Sequence, residues 1–252
     1  VYFVARLGVD ACGDQALATY TAAGLRTEYV RRTPNVPSGV ALIVVDEHGE
    51  NQIAVAPGAN ARLSSEDVRA AASAIDASAV VVVQLEIPLP TVLAAVTAAR
   101  QAGKTVLLNP APVPREPLPE ALLAHVNVLN PNRHEASALS GIPVDDAESA
   151  AAAGLALLRR GVGTVVITLG QDGAMLVTPD GARLIPGFAV DVVDTTGAGD
   201  AFTAGLAVAL ARGFPLDQAV RLANAAGALA TTRLGAQPSM PFWEDVRRLI
   251  GE

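Results

Sequence analysis

Apolar residues along the chain fall into two rhythms. Short unbroken runs rich in β-branched residues recur at 79–84, 105–109, 126–130 and 164–168. Between them lie longer stretches with apolar residues spaced by three and four, at about 89–102 and 146–160. Continuous apolar strands alternating with helices predict an α/β fold, with a mostly parallel sheet covered on both faces by helices. Two regions break the rhythm and read as hairpins. One spans 39–56, with a polar turn at Asp46–Glu50; the other spans 173–185 and turns at Pro179-Asp180-Gly181. The last third is helical, at roughly 198–212, 215–232 and 241–250. Ser64 with Asp67 has the spacing of a capping box and predicts a helix at about 65–75. Val1-Tyr2-Phe3-Val4-Ala5 reads as a buried strand, so an N-terminal segment preceding Val1 is expected.

Composition narrows the classes. The 252 residues are 51% hydrophobic, enough for a large core without disulfides. The formal charge is −7 and Lys104 is the only lysine, which argues against a nucleic-acid or anionic-membrane surface. Cys12 is the only cysteine, so no intrachain disulfide can form, and a reducing cytoplasm fits. No apolar run is long enough to span a membrane.

Open parallel sheets bind ligands beyond the carboxyl ends of their strands. Here those ends carry polar residues: Gln84 and Glu86, then Asn109, then Asn130, Asn132 and Glu135, then Thr168 and Gly170. The most telling stretch is Asp194-Thr195-Thr196-Gly197-Ala198-Gly199-Asp200. A long apolar helix follows it. The first N–H groups of a helix lack internal partners, and small residues let a phosphate approach them. Asp200 then stands in the first turn. A carboxylate there repels a phosphate but can accept a proton from a hydroxyl attacking it. The alternative reading is an ordinary loop, with Asp200 as an N-terminal helix charge. Gly103-Lys104-Thr105 imitates the tail of a P-loop, but its first glycine would fall at Ala98 and the order is helix to strand. No G-x-G-x-x-G opens a first strand–helix turn, which argues against a nicotinamide enzyme.

At these residues the chain resembles the ribokinase (PfkB) family of carbohydrate kinases over essentially its whole length. Asp194 through Asp200 is similar to that family's anion-hole and base signature. Asn132-Arg133-His134-Glu135 is similar to its N-x-x-E motif, and Thr168-Leu169-Gly170-Gln171-Asp172-Gly173 to its nucleotide-binding turn. Gly235-Ala236-Gln237-Pro238-Ser239, Pro57-Gly58-Ala59-Asn60 and Gln84-Leu85-Glu86 look more like ribokinase than like fructokinases or adenosine kinases.

The resemblance implies a ribokinase-like α/β core at 1–37 and 57–252 and a small β lid at 38–56. It implies ATP-dependent phosphorylation of D-ribose at the 5-hydroxyl. Asp200 would be the base and a sugar contact, and Gly197, Ala198 and Gly199 would form the anion hole. Glu86 would touch the sugar. Asn132, Thr168, Leu169, Gly170, Gln171, Asp172, Gly173, Gly199 and Asn224 would line the ATP site. Glu135 would hold Mg²⁺ through water. Asp194, Thr196, Ala230, Arg233, Gly235 and Ser239 would surround a monovalent cation, with K⁺ as activator. The lid implies a cytoplasmic homodimer paired through residues 38–56. Gly8, Asp10 and Gly13 match a segment that follows the family's first strand, sugar-binding Asp and Gly-Gly-rich motif, none of which occurs here. Another sugar or nucleoside kinase, or an inactive nucleotide-binding fragment, are the alternative readings.

Other residues read as structural. His48, His125 and His134 share no metal-ligand spacing. Cys12 is expected to be buried and inert, and Trp243 to be packed. Arg31-Arg32 and Arg159-Arg160 are expected to form solvated faces.

Overall fold

The computed structural model describes the backbone of residues 1–45 and 51–251 and the side chains outside 43–53. The turn expected at 46–50, with His48, lies outside the described residues. The chain forms two compact units, Val1–Ser78 with Gln84–Ala102, and Ala79–Val83 with Gly103–Glu252.

In the first unit, β1 (Ala5–Gly8) precedes α1 (Ala11–Ala22) and pairs in parallel with β2 (Val30–Thr33), Ala5 opposite Val30 and Gly8 opposite Thr33. The first strand therefore starts four residues later than its apolar run suggested. Val1 is 84% exposed, and the backbone of Tyr2 pairs with Arg26 as an isolated bridge outside any strand. β3 (Val40–Val45) and β4 (Asn51–Ala56) form the expected antiparallel hairpin, Val40 opposite Ala56. Leu42 and Val55 fall on opposite faces of this hairpin and both are exposed.

The helix expected at 65–75 is broken at Ala71 into α2 (Ser65–Ala70) and α3 (Ala72–Ala77). The capping box forms: Ser64 N–H donates to Asp67 Oδ2 at 2.9 Å, and Asp67 N–H to Ser64 Oγ. Asp67 also accepts two bonds from the Arg6 guanidinium, each 2.9 Å, and faces Arg31 at 3.3 Å. Burial pushes the Asp67 carboxyl up, but Arg6 and Ser64 outweigh it and hold it below its ordinary value.

Asp10 caps α1 by accepting from Gly13 N–H at 2.7 Å, and it takes both the amide (2.6 Å) and the hydroxyl (2.7 Å) of Ser38. A side chain at Gly8 would collide with Ser38 N and Val36 O within 2.5 Å, so only glycine lets these segments meet.

The second unit is built on a sheet. Among the described residues it contains β5 (Val80–Val83), β6 (Thr105–Leu108), β7 (Val128–Leu129), β8 (Thr164–Thr168), β9 (Ala174–Thr178) and β10 (Gly181–Ile185). In the first unit, α4 (Leu89–Gln101) follows β5 in the chain. In the second, α5 (Glu120–Leu123), α6 (Arg133–Ser140) and α7 (Ala147–Leu158) lie between the strands in sequence, and α8 (Ala198–Ala211), α9 (Leu216–Ala230) and α10 (Trp243–Ile250) follow them. The strand order is β10-β9-β8-β7-β6-β5, parallel from β5 to β8 and antiparallel at β9 and β10.

Val165, Val166 and Ile167 are fully buried, which is why their run lacks alternation. α8 and α9 place Phe202, Leu206, Val220 and Leu222 in one core with Leu107, Val166 and Leu176. They approach closely at Gly205, where an added Cβ would lie 2.9 Å from Ala226 Cβ.

Two expectations are corrected. Cys12 is exposed, because it lies on the outer face of α1. The arginine pairs hold segments together: Arg32 binds Gly8 O and Asp14, and Arg160 binds Glu120 and the carbonyls of Leu118 and Leu139. His125 is tied to its own helix, Nδ1 lying 2.6 Å from Ala121 O. Trp243 packs as expected, against Phe214 and beneath the Arg212 guanidinium.

Candidate active site

The polar strand ends of the second unit converge on the start of α8. Asn109, beyond β6, donates to Asn130 O at 3.3 Å and to Thr203 Oγ1 at 3.2 Å. Asn130, beyond β7, donates to Val166 O of β8 at 2.8 Å. The Thr203 hydroxyl faces both Asn130 Oδ1 and Gly199 O, each at 2.9 Å. All three side chains are buried. Buried amides must be paired, and these pair with one another and with the backbone that opens α8. The sequence drew attention to Asn109 and Asn130 but not to Thr203. Its one signal was its place three residues beyond Asp200, facing inward where the helix is otherwise apolar.

Gly197 caps α8 in the left-handed conformation, φ 78°. Ala198 N–H closes a turn onto Thr195 O at 3.2 Å, so this donor is engaged within the loop. The Gly199 amide belongs to the first turn, whose donors have no intrahelical acceptor. A Cβ at Gly199 would meet nothing within 4 Å, so open space lies before it. Asp200 is exposed, one residue further into the helix.

Asp194 braces the loop from behind. Oδ1 accepts from Thr196 N–H at 2.9 Å and Oδ2 from Gly235 N–H at 2.8 Å. The Thr196 amide, then Gly235, hold its carboxyl below the ordinary 3.8. Ser239 is fully buried and donates to Ala236 O at 2.7 Å. Asp194, Thr196, Gly235 and Ser239 thus lie along one turn region, with Ala230 and Arg233 at and after the end of α9. Carboxylate and carbonyl oxygens are the donor chemistry of a hard monovalent cation.

Asn132 and Glu135 form a reciprocal capping box on α6. Asn132 N–H donates to Glu135 Oε2 and Glu135 N–H to Asn132 Oδ1, both at 2.8 Å. Burial pushes the Glu135 carboxyl up, against the pull of the Asn132 amide and of His134. Oε2 is held by the cap. Among the described residues no three His, Cys, Asp or Glu side chains group closely enough to cage a metal.

The 168–173 turn joins the same neighbourhood. Thr168 N–H donates to Pro131 O at 3.0 Å, and Thr168 bridges Asn132. Arg133 reaches Leu169 O and pairs with Asp172 at 2.6 Å. Gly173, φ 102°, admits no side chain, since a Cβ would stand 2.2 Å from Ile185 O. The Asn224 amide donates to the carbonyls of Ile185 (3.0 Å) and Pro186 (3.1 Å), so it supports the 185–187 segment. Gln171 is exposed. Glu86 is also exposed and lies in the first unit, between β5 and α4.

The model of the pfkB family of carbohydrate kinases matches residues 1–243. A ribokinase of Haemophilus influenzae is 36% identical over 250 residues, covering 99% of this chain and 81% of its own. A deoxyribokinase of Salmonella typhi is 35% identical over the same shares. The solved structure of Arabidopsis thaliana ribokinase complexed with ribose and ATP superposes with a TM-score of 0.90 at 33% identity, covering 100% of this chain and 82% of that one.

Proposed function

Because the chain belongs to the pfkB family of carbohydrate kinases, we propose that it transfers the γ-phosphoryl group of ATP to the 5-hydroxyl of D-ribose. The observation that carries this reading is the start of α8. Gly197, left-handed and packed against Ala236 and Met240, starts the helix, Gly199 faces open space, and Asp200 projects from the same turn. A phosphoryl group seated there meets backbone amides and the positive end of the helix dipole. Asp200 accepts the hydroxyl proton as the oxygen attacks phosphorus, and the amides stabilise the charge that spreads over the equatorial oxygens.

Asn132, Thr168–Gly173 and Asn224 shape the nucleotide site. Leu169, Gln171 and Asp172 belong to its turn, with Arg133 fixing that turn through Leu169 O and Asp172. Glu86 contacts the sugar. Glu135 holds Mg²⁺ through water, and the ion neutralises the nucleotide phosphates. Asp194, Thr196, Ala230, Arg233, Gly235 and Ser239 receive a potassium ion, mostly through main-chain oxygens. The exposed apolar residues Leu42 and Val55 suit a homodimer formed through the 38–56 hairpin. A cytoplasmic location fits the lone, exposed cysteine.

A second substrate is favoured by one specific finding, the 35% identity to a deoxyribokinase. The test is ATP consumption with ribose, 2-deoxyribose, fructose and adenosine as acceptors. Highest kcat/KM on ribose is the expected result. A preference for 2-deoxyribose moves the assignment to that sugar, and no turnover with any acceptor overturns the kinase reading.

A further inference from the structure

The segment 233–241 has two sides. On one it holds the entry to α8. Gly235 binds Asp194, and a Cβ at Gly197 would lie 3.0 Å from Met240 Cε and 3.3 Å from Ala236 Cα. On the other it lines a cavity of about 390 Å³ with the end of α9 and the face of α10. Arg233 and Arg248 both line this cavity, against a single carboxylate, Asp245. Arg248 meets Asp245 only at 3.4 Å, beyond the usual charge-assisted distance, and Arg233 has no ion-pair partner among the described residues. Leu229, Pro241 and Leu249 supply apolar walls. Two guanidinium forks match carboxylate or phosphate oxygens, and the apolar walls match a short carbon skeleton. No residue assigned above to the nucleotide lines the cavity; Arg233 and Ser239, assigned above to the monovalent cation mostly through main-chain oxygens, also line it, Arg233 offering its guanidinium.

We propose that this cavity is an effector site for a small organic dianion, and that its occupancy shifts turnover through Gly235, Ala236 and Met240. The binding half stands alone; the coupling half rests on the anion-hole reading of Gly197. Any ligand wedged against the 233–241 turn acts on Asp194 through the Gly235 N–H bond and on Gly197 through Ala236 and Met240, because packed segments transmit displacement.

Succinate and inorganic phosphate are suitable probes, titrated by calorimetry into the protein saturated with ADP so that the nucleotide site is filled. The expected result is binding that weakens by about tenfold or more in Arg248→Ala and partly recovers in Arg248→Lys. Binding of succinate that is lost in Arg248→Ala supports the site; binding of phosphate alone, which has no carbon skeleton for the apolar walls and which the γ-phosphoryl seat left open by ADP also accepts, overturns the organic-dianion reading. Arg248 is 79% exposed, so its variants should melt with the wild type. Turnover at saturating substrates should change with the bound anion in the wild type and not in Arg248→Ala. Asp200→Asn should still bind the anion, which separates this site from the kinase reading. Equal affinity in Arg248→Ala, or no binding by the ADP-saturated wild type, overturns the proposal.

Discussion

Thr203 Oγ1 lies 2.9 Å from Asn130 Oδ1, joining the second turn of the helix that carries Asp200 to the end of the third parallel strand. The residues are 73 positions apart in the chain. The same hydroxyl faces Gly199 O and accepts from Asn109. The direction in which the α8 amides point is therefore set by buried polar bonds to the sheet as well as by helix packing.

Thr203→Val keeps the shape but strands Asn130 Oδ1 and one Asn109 donor in the core. Leaving such groups unpaired costs about 1–3 kcal/mol. A lower melting temperature and a reduced kcat with ADP still bound are expected. Thermal denaturation and steady-state kinetics check both, and wild-type kcat in the variant would remove the network from the positioning of α8.

Asp200→Asn removes the proton acceptor and leaves the amides in place. We expect kcat to fall by roughly 10²–10⁴, with ATP affinity nearly unchanged because no nucleotide contact is lost. Turnover assays paired with ADP or ATP calorimetry decide this, and near-normal turnover would falsify the role of Asp200.

Glu135→Gln separates structure from chemistry. The folded pKa of Glu135 is raised by burial, so ionisation opposes folding as pH rises from its ordinary 4.5 through the higher folded value. Glutamine still caps Asn132 N–H without that charge. Stability near pH 7 should stay level or rise, while the Mg²⁺ concentration for half-maximal turnover increases. Loss of stability together with unchanged Mg²⁺ dependence would reverse the assignment.

Asp194→Asn tests the brace behind the anion hole. The folded pKa of Asp194 lies below 3.8, so its contribution is complete above that pH and is lost as pH falls through the folded value. The variant also cannot keep both amide bonds, because one carboxylate oxygen becomes a donor. Urea melts between pH 2.5 and 7 should show a shallower acid limb in the variant, and kcat at pH 7 should drop. Superimposable acid limbs would show that Asp194 carries no such linkage.

Local order along the chain was sufficient for much of this molecule. The runs at 164–168 and 105–109 announce buried parallel strands because a strand covered on both faces needs apolar residues throughout. Ser64 and Asp67 announce a helix start because a capping box closes within three residues. Gly197–Asp200 announces a helix start because the small residues and the carboxylate sit in one turn. Tertiary structure alone decided what depends on partners far along the chain. Cys12 is exposed because of the face α1 presents, Arg160 is held by Glu120 40 residues away, and Asn224 turns its amide to Ile185 and Pro186. Thr203 becomes the hinge of a buried network only when two strand ends and α8 meet. Periodicity reports which side of an element is apolar; which distant polar atom fills a given donor is settled only when the chain closes on itself.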